Sequence, residues 1–151
     1  NEDVRMIIAG EILQQIQSVK RLHEIRVKDV CEKYGLSEIE SSILIFLHNN
    51  PCKDTASDIV ELRMLPKANV SKAVELLIQK GLLQRRRDVG DRRRIHLMLT
   101  ENAQGIMPDI SNVQSTFLAQ LFDGFTMEEK ELYADMNVRI AKNAIAGLGI
   151  R

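Results

Sequence analysis

Two arginine triplets flank four residues that are typical of a turn. Arg85–Arg87 precede the segment Asp88-Val89-Gly90-Asp91, and Arg92–Arg94 follow it. Guanidinium groups stay charged and bind phosphate or carboxylate oxygens through paired hydrogen bonds. The whole chain has zero formal net charge, yet residues 63–94 carry ten basic and three acidic side chains, while the remainder carries 11 and 18. A one-sided positive field attracts polyanions, so these residues predict a polyanion-binding surface.

A short helix, a turn and a second helix are predicted directly before the arginines. Thr55-Ala56-Ser57-Asp58 offers a helix start that continues to about Arg63. Pro66 suits the first turn of the next helix, residues 67–80, which ends near Gly81. Its buried stripe would be Val70, Ala73, Val74 and Leu77, which leaves Lys67, Ala68, Asn69, Ser71, Lys72 and Glu75 on the outer face. Asn, Ser and Lys side chains can contact base edges or phosphates, and Ala allows a close approach.

After this helix, the spacing of apolar residues changes from helical to alternating. Ile95, Leu97 and Leu99 alternate with Arg94, His96 and Met98, as in a strand, and we expect His96 and Met98 on its more exposed side. Leu82 to Arg87 would be the partner strand, and Asp88–Asp91 the hairpin tip, where Gly90 can adopt a positive φ. Two short helices followed by a basic hairpin predict a winged helix-turn-helix, with residues 67–80 as the recognition helix.

The rest of the chain is predicted to be helical. Apolar residues at helical spacing indicate a long first helix over residues 4–30, and Ser37-Glu38-Ile39-Glu40 forms a capping box for a second helix that runs to about His48. Two further helices are expected over 101–122 and 127–148. The predicted fold class is mainly α with a small antiparallel β-hairpin. We expect one domain, residues 1–151, with a DNA-binding lobe over 37–99.

Composition excludes several classes of protein. No apolar run approaches the roughly 18 residues of a membrane span, and the first residue is Asn, so we expect a trimmed start and a soluble, cytoplasmic protein without membrane partners. Cys31 and Cys52 lack CxxC spacing, which argues against a disulfide framework or a zinc finger. Nucleotide-loop, HExxH and GxSxG motifs are absent. We therefore expect no enzyme, no metal and no cofactor.

The stretch PKANVSKAVELLIQKGLL, followed by DVGDRRRIHLMLT, resembles the MarR family of bacterial transcriptional regulators. The predicted element order matches as well, so the resemblance covers nearly the whole chain. It implies a homodimer, in which the helices at 4–30, 101–122 and 127–148 interlock, and a repressor of a pseudo-palindromic operator in double-stranded DNA. The recognition-helix residues would be Lys67, Ala68, Asn69, Ser71 and Lys72, and the wing residues Asp88, Gly90, Asp91, Arg92, Arg93 and Arg94.

The resemblance also implies particular contacts. Wing arginines would reach the minor groove, with Asp91 orienting Arg92 or Arg93, and a small aromatic or lipophilic anion would act as effector in a crevice near the first, second and fifth helices. No polar residues identify that crevice, so effector-binding residues stay unassigned. Val89 and Gly90 depart from the family pattern. This departure predicts a more flexible wing tip.

Two other functions remain open at this point. The same basic face could bind protein as a winged-helix interaction module. Alternatively, Cys31 or Cys52 could serve as a redox switch in a regulator. A hairpin rich in arginine could also be only a solvated edge that resists aggregation.

Overall fold

A computed structural model describes residues 6–149. Within that range it contains six helices and one two-stranded sheet, in the order α1 (Ala9–Tyr34), α2 (Glu38–Asn49), α3 (Ala56–Arg63), α4 (Lys67–Gln79), β1 (Leu83–Arg87), β2 (Ile95–Leu99), α5 (Glu101–Leu121) and α6 (Met127–Gly147). The predicted fold class, mainly α with a small antiparallel hairpin, is confirmed. None of the described helices is both long and apolar enough to cross a membrane.

Helix α1 differs from its predicted range of 4–30. Residues 4 and 5 lie outside the described part, Ile8 is the N-cap, and the helix continues to Tyr34. Gly35 ends it with a φ of 65°, a left-handed conformation that costs little without a Cβ atom. The Leu36 N–H then donates to the Cys31 carbonyl over 2.8 Å, which closes the cap.

Two compact units are present, one up to Phe117 and the other from Leu118. The predicted single domain therefore stays a prediction. The first unit contains the buried core, to which α2, α3, α4, the hairpin and α5 all contribute; its largest fully buried side chains are Ile43, Leu44, Ile59, Val70, Leu77, Leu83, Met107 and Ile110.

Capping and one buried ion pair orient the helices of this core. Ser37 and Glu40 form the predicted capping box of α2, and Thr55 and Asp58 form that of α3. The carboxylate of Glu40 is nearly inaccessible and receives the Lys80 Nζ at 2.7 and 2.9 Å. Lys80 also donates to the Gly35 carbonyl at 2.6 Å, so the C-terminal end of α4 is tied to the start of α2. Burial alone would raise the pKa of Glu40, but the hydrogen bonds from Lys80 and Ser37 outweigh it and lower that pKa.

The hairpin pairs β1 with β2 in an antiparallel register that sets Leu83 opposite Leu99 and Arg86 opposite His96. Its loop is longer than the predicted four residues, because β1 ends at Arg87 and β2 begins only at Ile95. The second arginine triplet therefore belongs to the loop, residues 88–94, which we call the wing loop. Gly90 does not adopt the predicted positive φ.

Helix α5 begins at the predicted cap. The Thr100 hydroxyl donates to the Gly81 carbonyl at 2.6 Å and accepts from the Ala103 N–H at 3.2 Å. Farther along, Asp109 accepts hydrogen bonds from Lys33, at 2.8 Å, and from the Tyr34 hydroxyl. These contacts fix the first part of α5 against the end of α1.

The second unit comprises the end of α5 and helix α6. Thr126 and Glu129 form a capping box at the start of α6. The Phe122 ring makes edge contacts with Phe125 and Tyr133, at centroid distances of 5.4 and 5.3 Å. None of the residues of α6 is buried within this chain.

Candidate nucleic-acid interface

The outer face of α4 is polar, small and exposed, as predicted. Val70, Ala73, Val74 and Leu77 are buried on its inner face. Every predicted contact residue on the other side is exposed: Lys67, Ala68, Asn69, Ser71 and Lys72. Because apolar residues fix one face in the core, the opposite face is held in a defined orientation toward solvent.

The turn before α4 contains a strained residue. Met64 has a φ of 50° and a ψ of 43°, the left-handed region that residues with a Cβ atom rarely adopt. The turn is only three residues long, Met64 to Pro66, so a sharp reversal is needed between the two helices. The left-handed conformation of Met64 is therefore part of the reversal between α3 and α4.

The wing loop is organised by its own aspartates. One carboxylate oxygen of Asp88 accepts the backbone N–H groups of Gly90 and Asp91 at 2.9 and 2.8 Å. The Arg94 N–H donates to the Asp91 carbonyl at 3.0 Å, and the Asp88 N–H donates to the Arg94 carbonyl at 3.0 Å. These bonds give the loop a defined path, although the predicted flexibility of its tip stays a prediction.

Arg92 and Arg93, like Arg94, are exposed cations of this loop. Within residues 6–149, neither guanidinium group forms an ion pair. Asp91 was expected to orient one of them through its side chain. Instead, its carboxylate accepts the backbone N–H of Arg93 at 2.9 Å, so the expected orienting contact with a guanidinium is not formed in this structure.

One arginine of the first triplet is already engaged. Arg85 of β1 forms an ion pair with Glu75 on the outer face of α4. The hairpin therefore adjoins the same face of α4 that carries Asn69 and Lys72. Sequence reasoning placed Glu75 on this face but did not find its partner, because the two residues lie on different elements.

His96 was predicted on the more exposed side of β2, but its side chain is largely covered. Its side chain is only 13% exposed, because it is enclosed between two carboxylates. Nδ1 lies 2.6 Å from Asp54 Oδ1, and Nε2 lies 2.7 Å from Asp88 Oδ1. Met98, by contrast, is exposed as expected. No signal in the local sequence identifies this arrangement, since Asp54 is 42 residues away along the chain.

The electrostatics of this contact favour a charged imidazole. The hydrogen bonds to Asp54 and then to Asp88 raise the pKa of His96, although desolvation opposes them. In turn, the hydrogen bonds from His96 and from the backbone N–H groups of Asp91 and Gly90 lower the pKa of Asp88 to about 2. The three side chains thus form a charged bridge between the wing loop and the segment before α3.

The cysteines show no arrangement typical of a redox switch. Burial raises the pKa of the Cys31 thiol, which disfavours the reactive thiolate. Cys52 is exposed, so the two thiols occupy different environments. No group of three metal-ligating side chains occurs among the described residues.

One open groove lies beside α1. It has a volume of about 340 Å³ and is lined by apolar residues, one glycine and four charged residues: Val27, Cys31, Leu36, Gly35, Glu24, Lys28, Glu32 and Glu38. The groove thus combines apolar residues with three acidic side chains and one basic side chain.

Residues 34–94 match the family model described as MarR family. This match spans the helix-turn-helix and most of the wing described above. The resemblance to the MarR family that the sequence indicated is thus confirmed over residues 34–94. The solved structures of this family share the winged helix-turn-helix fold described above.

Individual relatives agree with this resemblance. The chain is 27% identical to the HTH-type transcriptional regulator MhqR of Bacillus subtilis over 74% of its own length and 77% of that protein. A MarR-family regulator from Listeria monocytogenes, solved in complex with a 26-mer DNA, has a TM-score of 0.75 at 17% identity and covers 97% and 98% of the two chains. Bordetella bronchiseptica BpsR, whose DNA binding is regulated by 6-hydroxynicotinic acid, has a TM-score of 0.70 at 18% identity over 89% and 93%.

Proposed function

We propose that the protein is a homodimeric repressor that binds a pseudo-palindromic operator. Helix α4 would enter the major groove with Lys67, Ala68, Asn69, Ser71 and Lys72. The wing residues Asp88, Gly90, Asp91, Arg92, Arg93 and Arg94 would form the contact with the adjacent minor groove. Repression would follow from occlusion of a promoter in the cytoplasm.

The main support for this proposal is that Arg92 and Arg93 are exposed and available for phosphate contacts. Both guanidinium groups are exposed and without ion pairs in the described chain, on a loop whose backbone is held by Asp88 and Asp91. Narrow, A·T-rich minor grooves concentrate negative potential and favour inserted arginines. The Glu75–Arg85 ion pair supports a shared footprint, because it joins the hairpin to the outer face of α4.

The proposed dimer is supported by the apolar surface of α6. Leu132, Met136 and Ile140 recur every four residues and are 59%, 42% and 63% exposed. Ile12 and Ile16 of α1 are exposed at the same spacing. Apolar stripes of this length are usually covered by another protein surface, and a two-fold dimer would supply one.

A small aromatic anion is proposed as effector. The support is the relative BpsR, whose DNA binding responds to 6-hydroxynicotinic acid. A ligand that fits only one spacing of the two recognition helices would shift the population toward or away from the DNA-binding state. Thermal unfolding with and without 6-hydroxynicotinic acid tests this part: we expect a higher midpoint with the acid, and no shift at millimolar acid contradicts binding of this compound.

Selection of bound sequences from a random duplex pool tests the operator. We expect an inverted repeat with half-sites centred roughly 10 base pairs apart, the spacing that two symmetric recognition helices impose. Recovery of unrelated sequences with no enrichment would contradict the proposal and favour an interaction module that binds DNA only through charge.

A further inference from the structure

The imidazole of His96 lies between two segments that are not part of the β1–β2 strand pairing. Nδ1 faces Asp54 in the segment between α2 and α3, and Nε2 faces Asp88 at the start of the wing loop. An ionised carboxylate only accepts hydrogen bonds, so both ring nitrogens must carry hydrogens to satisfy this geometry. Only the imidazolium form can donate both bonds.

Each carboxylate in this bridge lies next to a backbone contact. The Leu97 N–H donates to the Asp54 carbonyl at 2.8 Å, which ties the segment before α3 to the edge of β2. The second oxygen of Asp88 holds the Gly90 and Asp91 N–H groups. His96 therefore connects the frame around α3 to the backbone that carries Arg92 and Arg93.

The charged groups that face His96 come from three segments: Asp54 before α3, Arg86 opposite His96 on β1, and Asp88 in the wing loop. Lys53 and Arg94 act instead on Asp58 of α3. Asp side chains ordinarily titrate near pH 4, and Lys and Arg above about pH 10. Within this group, His96 is the side chain whose ordinary range lies near neutral pH.

We propose that His96 is a positioning residue for the wing and that its protonation controls DNA affinity. The inference rests on the proposed DNA-binding function. When the imidazole loses a proton, one carboxylate faces a lone pair instead of an N–H group, and the local charge of the His96, Asp54 and Asp88 cluster changes from −1 to −2. Asp88 is then less firmly held, and the added negative charge lies beside the surface that meets phosphates.

The direction of the pH effect follows from the two carboxylates. They raise the pKa of His96, so the bridge is complete below the ordinary histidine value and is lost as pH rises through the higher, folded value. DNA affinity should fall over the same window. DNA phosphates would stabilise the imidazolium further, and a one-unit difference in pKa between bound and free protein changes affinity about tenfold.

The test is the affinity for the duplex enriched by selection near neutral pH, measured by fluorescence anisotropy between about pH 6 and about pH 9 at constant salt. The wild-type protein should weaken by up to about tenfold as pH rises, whereas His96→Gln should bind more weakly near neutral pH and vary with pH by less than about twofold. His48→Gln is the matched control, since His48 is exposed at the end of α2. It should keep the wild-type profile.

Asp54→Asn separates a titrating bridge from a merely structural one. The variant keeps an oxygen that can accept from Nδ1 but removes one charge, so the wild-type pH profile should move to lower pH. Nitrogen NMR of the wild-type imidazole supplies a readout that needs no variant, and it should report both nitrogens of His96 protonated near neutral pH.

The outcomes distinguish this inference from the function on which it depends. If the wild type binds no duplex at any pH, the proposed function and the inference both fail. If it binds DNA but His96→Gln keeps the wild-type pH profile, or His96 is neutral near neutral pH, the inference alone is overturned.

Discussion

Helices α4 and α6 carry apolar residues at the same helical spacing but use them differently. In α4, Val70, Ala73, Val74 and Leu77 are buried in the core of the same chain. In α6, Leu132, Met136 and Ile140 are exposed. Helix α4 is therefore oriented by its own chain, whereas the exposed stripe of α6 is available for the proposed dimer interface. Dimerisation and DNA contact should accordingly respond to different substitutions.

The largest effect on the free energy of unfolding is expected for α4, whose apolar stripe is buried. Leu77→Ala removes a fully buried side chain and should cost about 2–5 kcal/mol of unfolding free energy. Leu132→Ala, the matched change in α6, should cost less than about 0.5 kcal/mol under conditions where the protein is monomeric. Urea unfolding at low protein concentration measures both; equal losses would show that the two helices are not different in this way.

Ile140→Glu should have the next largest effect, on assembly. Because the proposed dimer would cover this apolar stripe, a carboxylate placed in it should weaken the dimer by about 10- to 100-fold, which corresponds to about 1.4–2.8 kcal/mol. Sedimentation velocity across a range of concentrations measures the change. Glu131→Gln serves as the control, because Glu131 is an exposed polar residue of the same helix. A dimer that tolerates Ile140→Glu would place the interface elsewhere.

The stability that Asp88 gives to the hairpin should be lost in acid. The pKa of Asp88 is lowered to about 2 by His96 and the loop N–H groups, so its stabilising contribution is present above the ordinary aspartate value near 4 and is lost as pH falls toward 2. Urea unfolding of wild type and Asp88→Asn should differ near neutral pH and converge in acid. A difference that stays constant down to the lowest pH would contradict the assigned bonds.

The smallest effect concerns the turn that orients α4. Met64→Gly relieves the left-handed strain but makes the unfolded chain more flexible, so a net gain of about 0.5 kcal/mol is expected. Chemical denaturation of this variant measures it, with exposed Leu62→Gly in α3 as a contrast that should destabilise by about 1 kcal/mol. Destabilisation by Met64→Gly would mean that the Met64 side chain contributes more than its strain costs.

Features set by neighbouring residues could be predicted from the sequence. The capping boxes at Ser37 and Thr55 and the buried stripe of α4 depend on spacings of three or four residues, and all are confirmed. The outer face of α4 followed from that stripe. The end of α1 was missed because the prediction stopped before Gly35, whose left-handed cap closes the helix.

Contacts between distant residues could not be predicted in the same way. Strand alternation placed His96 on the exposed side, but two carboxylates from other segments enclose it. The predicted length of the wing loop was also wrong. Arg92–Arg94 were expected to follow the turn, but they belong to it, because Asp91 accepts hydrogen bonds from the backbone N–H groups of Arg93 and Arg94. Both errors arise from side-chain hydrogen bonds that alternation and turn composition do not encode.

The salt dependence of binding to the selected duplex tests the DNA-binding surface most directly. Log affinity should fall linearly with log salt concentration, and Arg92→Ala combined with Arg93→Ala should reduce the slope by about 0.9 for each phosphate that the protein no longer neutralises. Lys20→Ala combined with Arg21→Ala, exposed on α1, removes the same charge and should leave the slope nearly unchanged. If the wing variant retains the wild-type affinity and slope, or both pairs act equally, the wing loop is not the DNA contact.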